Sequence, residues 1–150
     1  MIKERTLVLI KPDAMIKKLA GNIISELDRL DLKMVGLKLV NVSNELAKRH
    51  YAEHKEKPFF NDLIEHITGK IHNNENVIAI AYEGEDAIAK IRDLVGATHP
   101  DKALPSSIRG KFGKVHTLTN CHETVIHASD SVKSAEREIS LWFSKQELVE

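Results

Sequence analysis

At 150 residues, with 42% hydrophobic and 29% charged side chains, the chain has the size and composition of one globular domain, read here as a single domain over 1–150. Lys and Arg number 22 and so do Asp and Glu, which excludes the broad basic field of a nucleic-acid or anionic-membrane binder; any anion must be held by a local cluster. The one cysteine, Cys121, excludes an internal disulfide framework and fits a reducing compartment, while the N-terminal apolar stretch is too short for a signal peptide or a membrane span. The expectation is a cytoplasmic protein.

Residues 6–10 (Thr6, Leu7, Val8, Leu9, Ile10) are β-prone and almost wholly apolar, and Lys11, Pro12 and Asp13 end the run, predicting a central strand that enters a polar loop. From Gly21, the spacing of Ile23, Ile24, Leu27 and Leu30 predicts an amphipathic helix. Over 34–42, Val35, Leu37 and Leu39 alternate with Gly36 and Lys38 as in a half-exposed strand. Ser43 can cap a helix over 45–54. Pro58 interrupts, and Phe60, Leu63, Ile64 and Ile67 carry a second helical pattern over 59–67, so the two form a helical hairpin.

A polar stretch follows, then a buried strand over 77–82, a helix over 86–94, an aperiodic stretch over 96–123, a short strand over 124–128 and a closing helix from Ser131. A connection as long as 96–123 inside a small domain is read as a functional loop. The order predicts an α+β fold: a ferredoxin-like sandwich with a mainly antiparallel four-stranded sheet covered by helices.

His127 ends an apolar strand just before a helix start, where free N–H groups favour a phosphate, and a neutral imidazole is a nucleophile near pH 7. A carboxylate would fix its tautomer, and Glu136 and Glu138 both lie on the next helix. Lys11, Arg92 and Arg109 are of the types that hold polyphosphates. Tyr51 and Phe59 offer aromatic faces; Phe60 belongs to the apolar pattern, whereas Phe59 lies off it and could stack on a base. Neither a P-loop nor a dinucleotide glycine fingerprint occurs, so phosphate recognition must use another design. A metal site is the competing reading, from His50 and His54 four apart on one helix and from His116, Cys121 and His122 in a loop.

Taken together, Arg5-Thr6-Leu7-Val8-Leu9-Ile10-Lys11-Pro12-Asp13, Lys57-Pro58-Phe59-Phe60, Val95-Gly96-Ala97-Thr98, Ser107-Ile108-Arg109-Gly110, Val125-Ile126-His127-Ala128-Ser129-Asp130-Ser131 and Ser134-Ala135-Glu136-Arg137-Glu138-Ile139 resemble the nucleoside diphosphate kinase family over nearly the whole chain. The resemblance implies a ping-pong transfer of the γ-phosphoryl group of a nucleoside triphosphate to a nucleoside diphosphate through a phosphohistidine on His127 Nδ1. Glu138 would orient the ring, with Ser129 in support.

Among nucleotide contacts, the resemblance gives Lys11 the phosphate or ribose hydroxyl, Phe59 the base, and Arg92, Thr98 and Arg109 the phosphates, with Tyr51 supporting Lys11. Mg2+ would come with the nucleotide, with no metal ligand from protein side chains. ATP, GTP and deoxynucleoside diphosphates would be substrates of a homo-oligomer, a hexamer or tetramer. The chain departs from the family pattern at Thr124, where an asparagine is usual at this nucleotide contact, at Ala14, at Lys17-Lys18 in place of Arg-Gly, and in longer loops around 70–76 and 116–122.

Overall fold

The structure is a computed structural model that describes residues 3–115 and 122–150. Its first strand, β1 (Lys3–Ile10), starts earlier than the apolar run predicts. Charge holds the extra residues: Lys3 and Arg5 reach the Glu83 carboxylate at 2.7 and 2.6 Å. Pro12 ends the ladder but opens a helix, α1 (Pro12–Ile16), because its missing N–H costs nothing in a first turn. Five residues are too few to show a period, so the sequence did not reveal it. Lys18 then turns the chain at φ 61° into α2 (Ala20–Leu27), which buries Ile23 and Leu27 as its spacing predicts.

The alternation in β2 (Lys33–Asn41) does not survive. A register shift between Met34 and Gly36 places one extra residue in the strand. A bulge of this kind moves every later side chain to the other face. Val35 is buried, but Leu37 and Leu39 are left 51% and 61% exposed.

Ser43 caps α3 (Asn44–His50) by accepting from the Leu46 N–H, and the rest of the helix expected over 45–54 is a separate 3-10 turn, Ala52–His54. The hairpin is completed by α4 (Phe60–Ile67), followed by β3 (Asn76–Glu85) and α5 (Ala87–Val95).

The stretch 96–123 is not one loop. It holds a 3-10 turn (Pro100–Lys102), the Ser107-capped helix α6 (Ile108–Phe112), and a two-residue ladder between β4 (Lys114–Val115) and β5 (His122–Glu123). Caps and turns hold these pieces, and none is long enough to write a period into the sequence. The last strand is β6 (Ile126–Ala128), shorter than the 124–128 expected, and α7 (Val132–Trp142) closes the fold.

The main sheet has the order β2-β3-β1-β6, with every neighbour antiparallel. Helices cover both faces, giving the α+β sandwich that the element order predicts. Alternate residues of β1 feed opposite cores: Leu7 and Leu9 pack with Tyr51, Ile67 and Trp142, while Val8 and Ile10 pack with Ile23, Ile91 and Ile126. Burial on both sides explains why the strand reads as a continuous apolar run, each side chain adding about 1.5–3 kcal/mol. Among the described residues no helix is long and apolar enough to cross a membrane.

Candidate active site

The edge strand β6 pairs with β1 through Val8 and Ala128, Leu9 and His127, and Ile10 and Ile126. Ile126 and Ala128 point into the core beneath α2 and α5, so His127 between them faces the opposite layer, toward α3 and α7. The chain enters β6 through a tight turn. Ile126 N–H donates to the Thr124 carbonyl at 2.7 Å, with Val125 at φ 58°. This γ-turn geometry is strained for a β-branched residue and persists only where the surroundings enforce it.

Three contacts do so here. The Asp13 carboxylate accepts from Val125 N–H at 2.9 Å, Lys11 N–H donates to the Val125 carbonyl at 2.9 Å, and the Val125 side chain is fully buried. Asp13→Ala would orphan a buried N–H and free the turn beside His127. We expect a stability loss of about 1–3 kcal/mol in urea titrations, together with a drop in kcat. Unchanged stability and kcat would show that the turn holds itself.

A hydrogen-bonded series fixes the His127 ring. Leu7 N–H donates to Ser129 Oγ at 3.3 Å, so the hydroxyl proton is left for Glu138 Oε1 at 3.1 Å. The same carboxylate oxygen lies 2.5 Å from His127 Nε2. An acceptor on that side places the neutral ring's proton on Nε2 and leaves the Nδ1 lone pair available for attack. Glu138 is buried in α7, whereas Glu136 is exposed, which decides between the two candidate carboxylates.

The three cations all attach to the segment that carries His127. Lys11 Nζ donates to Thr124 Oγ1 at 2.8 Å, Arg109 to the Ile126 carbonyl at 2.8 Å, and Arg92 to the Ala128 carbonyl at 3.4 Å. The arginines thus occupy carbonyls of a strand that lies at the edge of the sheet among the described residues. Burial, and then the nearby Arg92 charge, pull the Arg109 pKa down to about 10, so it still carries its charge at neutral pH. Tyr51 is buried, and burial followed by the Glu138 charge pushes its phenol above the usual range. Phe59 is 44% exposed on the hairpin, its ring centroid 5.7 Å from that of His54, and Thr98 is exposed in the bend after α5. Phe59 stands at the far end of a series of ring contacts that runs through His54, Tyr51 and His50 to His127.

Two residues that the sequence reading left outside the site stand at His127, His50 directly and Trp142 behind it. The His50 ring meets His127 edge to face at 4.5 Å, and Trp142 Nε1–H donates to His50 Nδ1 at 3.1 Å. The available signal was position: His50 shares the buried face of α3 with Ala47, where a polar residue needs a partner.

His50, His127 and Glu138 form the one compact set of metal-type ligands among the described residues, with ligand atoms within 4.8 Å of one another. The set does not suit a cation. Because Trp142 occupies Nδ1, the proton of neutral His50 sits on Nε2, the nitrogen a metal would need, and Glu138 Oε1 already accepts from both Ser129 and His127. His54 is not part of the set. His116 and Cys121 lie outside the described residues, and His122 packs its ring on His99 at 4.4 Å.

The loop around 70–76 reaches the residue before Thr124, whereas residues 116–121 of the other longer loop lie outside the described residues. His72 Nε2 lies 3.8 Å and Lys17 Nζ 2.8 Å from the Glu123 carboxylate, and the His72 ring lies 5.0 Å from that of buried His66. Lys17 thus has a partner that its unusual position in the sequence did not suggest.

The profile of the family described as Nucleoside diphosphate kinase matches residues 4–148. A nucleoside diphosphate kinase of Pyrococcus abyssi is 49% identical over 97% of this chain and 87% of its own. Two solved structures superpose with TM-scores of 0.89. One is a halophilic nucleoside diphosphate kinase from Halobacterium salinarum in complex with CDP, 41% identical over 99% of this chain and 93% of that one. The other is a transition state mimic of the Borrelia burgdorferi enzyme with bound vanadate and ADP, 34% identical over 100% and 92%.

Proposed function

Because the chain belongs to the nucleoside diphosphate kinase family, we propose that His127, oriented by Glu138 and Ser129, is the residue through which it transfers phosphoryl groups. The observation that carries this is the Glu138–Nε2 contact, which leaves Nδ1 as the nucleophile. In the first half-reaction the Nδ1 lone pair forms a bond to the γ-phosphorus of a nucleoside triphosphate. The bond from that phosphorus to the β-phosphate oxygen breaks, and the nucleoside diphosphate leaves with the electron pair. In the second, a terminal oxygen of another diphosphate attacks the same phosphorus and the N–P electrons return to Nδ1. Glu138 keeps the Nε2 proton in place throughout.

Lys11, Arg92 and Arg109 turn from their resting partners toward phosphate oxygens, with Tyr51 as a neutral hydroxyl nearby, Thr98 a further phosphate contact and Thr124 a hydroxyl toward the sugar. Phe59, exposed on the hairpin, stacks on the base, which accommodates purines and pyrimidines of ATP, GTP and deoxynucleoside diphosphates alike. Magnesium would arrive with the nucleotide rather than on protein side chains and would supply charge neutralisation at the phosphates beside Lys11, Arg92 and Arg109.

We read residues 1–150 as one such domain, acting in the cytoplasm as a homo-oligomer, a hexamer or tetramer. The unpaired edge of β2, with Leu37 and Leu39 exposed, supports self-association, which sedimentation velocity measures. The deciding experiment is intact-protein mass after Mg·ATP, followed by dTDP. A gain of about 80 Da that is acid-labile, maps to His127 and disappears as dTTP forms supports the reading. ATP binding without that gain would make the chain a silent relative.

A further inference from the structure

We propose that His50 is a positioning residue for the nucleophile: its Nε2–H, aimed by Trp142, steadies the Glu138 carboxylate that holds the His127 ring. The inference rests on His127 as the phosphoryl carrier. An indole N–H can only donate, so the 3.1 Å contact makes His50 Nδ1 an acceptor and puts the proton of the neutral ring on Nε2. That nitrogen is buried, in a residue 3% exposed, and has no hydrogen-bond partner among the described residues. Buried donors are seldom left unpaired without a use.

The groups around it show which of them the N–H dipole favours. Arg137 approaches from α7, Lys11 from the end of β1, His54 from the 3-10 turn and His127 from β6, and each is a cation or an imidazole. Glu138 is the carboxylate in this pocket, within 4.8 Å of the His50 and His127 ligand atoms. The spacing is set by the backbone as well. Arg137 donates to the carbonyls of Arg49 and His50 at 3.0 and 3.2 Å, locking the end of α3 to the turn of α7 that carries Glu138. The polar N–H beside the carboxylate that already accepts from Ser129 and His127 disfavours its swinging away as the phosphoryl group arrives.

Rapid-quench measurement of His127 phosphorylation by Mg·ATP, across pH 5.5–9, tests this on the native protein and on His50→Phe and His50→Gln. His50→Phe should hold KM within about threefold and lower the single-turnover rate constant roughly 10- to 100-fold. His50→Gln returns an N–H donor and should recover most of the loss. If the native protein is not phosphorylated at His127, the functional reading fails; if it is, and His50→Phe matches its single-turnover rate, the proposal fails alone. Nitrogen-15 spectra of the native protein give a second test that needs no variant: a proton on His50 Nδ1 overturns the proposal and one on Nε2 supports it.

Discussion

Replacing His127 by alanine should lower nucleotide exchange by roughly 10⁴-fold or more, equivalent to about 5.5 kcal/mol of transition-state stabilisation, while ADP still binds. The loss is this large because no neighbour can take over. His50 is the nearest other imidazole described, but its one lone pair accepts from Trp142 and its proton points into the pocket. Lys11, Arg109 and Arg92 reach Thr124, Ile126 and Ala128, not position 127, so their placement outlasts the substitution. Binding can be followed through Trp142, the single tryptophan of the chain, whose ring centroid lies 5.6 Å from that of His50. Because His127 is partly exposed, the melting temperature should move little. Exchange above about one per cent of native in a folded variant would place the nucleophile elsewhere.

The second large effect is on stability in acid. Burial, followed by the Lys11 charge, pulls His66 down to about 2, and burial followed by His127 pulls His50 well below its ordinary value. His66 Nε2 lies 3.7 Å from Asp13, yet a neutral ring makes no ion pair there. Below about pH 6.5 the unfolded chain protonates both imidazoles and the native state does not, so stability is flat above that pH and falls as pH drops toward the folded values. Each ring costs roughly 1.4 kcal/mol per pH unit, so the two together remove roughly 2–3 kcal/mol between pH 6.5 and 5.5.

Urea titrations at fixed protein concentration should show this as a lower midpoint with an unchanged m value. His66→Phe sacrifices no hydrogen bond, since neither ring nitrogen has a partner among the described residues, and should roughly halve the slope. A native midpoint that does not change between pH 7 and 5 would rule out both rings as the source.

Legibility in the sequence followed burial and element length. Strands buried on both faces, β1 and β3, announce themselves as apolar runs, and α2, α4 and α7 by spacing. The bulge in β2 is invisible because it depends on where the partner strand sits, and α1 and α6 are shorter than two helical turns. In the site, His127, Glu138 and the cations came from residue type and from resemblance. Residue type alone left Glu136 and Glu138 open, the resemblance chose Glu138, and the rotation of α7 brings that residue to His127; the role of Asp13 needed the Val125 turn. His50 drew notice as half of a helical pair with His54, because sequence spacing sees neighbours on one helix and not an indole brought in from the far end of the chain.

The position of β1 between β3 and β6 also sets a timetable for synthesis. Leu7 meets Ser129 across 122 residues of chain. At ~5–20 residues per second a ribosome takes about 6–24 s to cover that span, and until then one edge of the most apolar strand stays open. His127 arrives on the very segment that closes this edge. A nascent or truncated chain is therefore both inactive and prone to aggregate, and competence appears in the same step that hides the sticky edge.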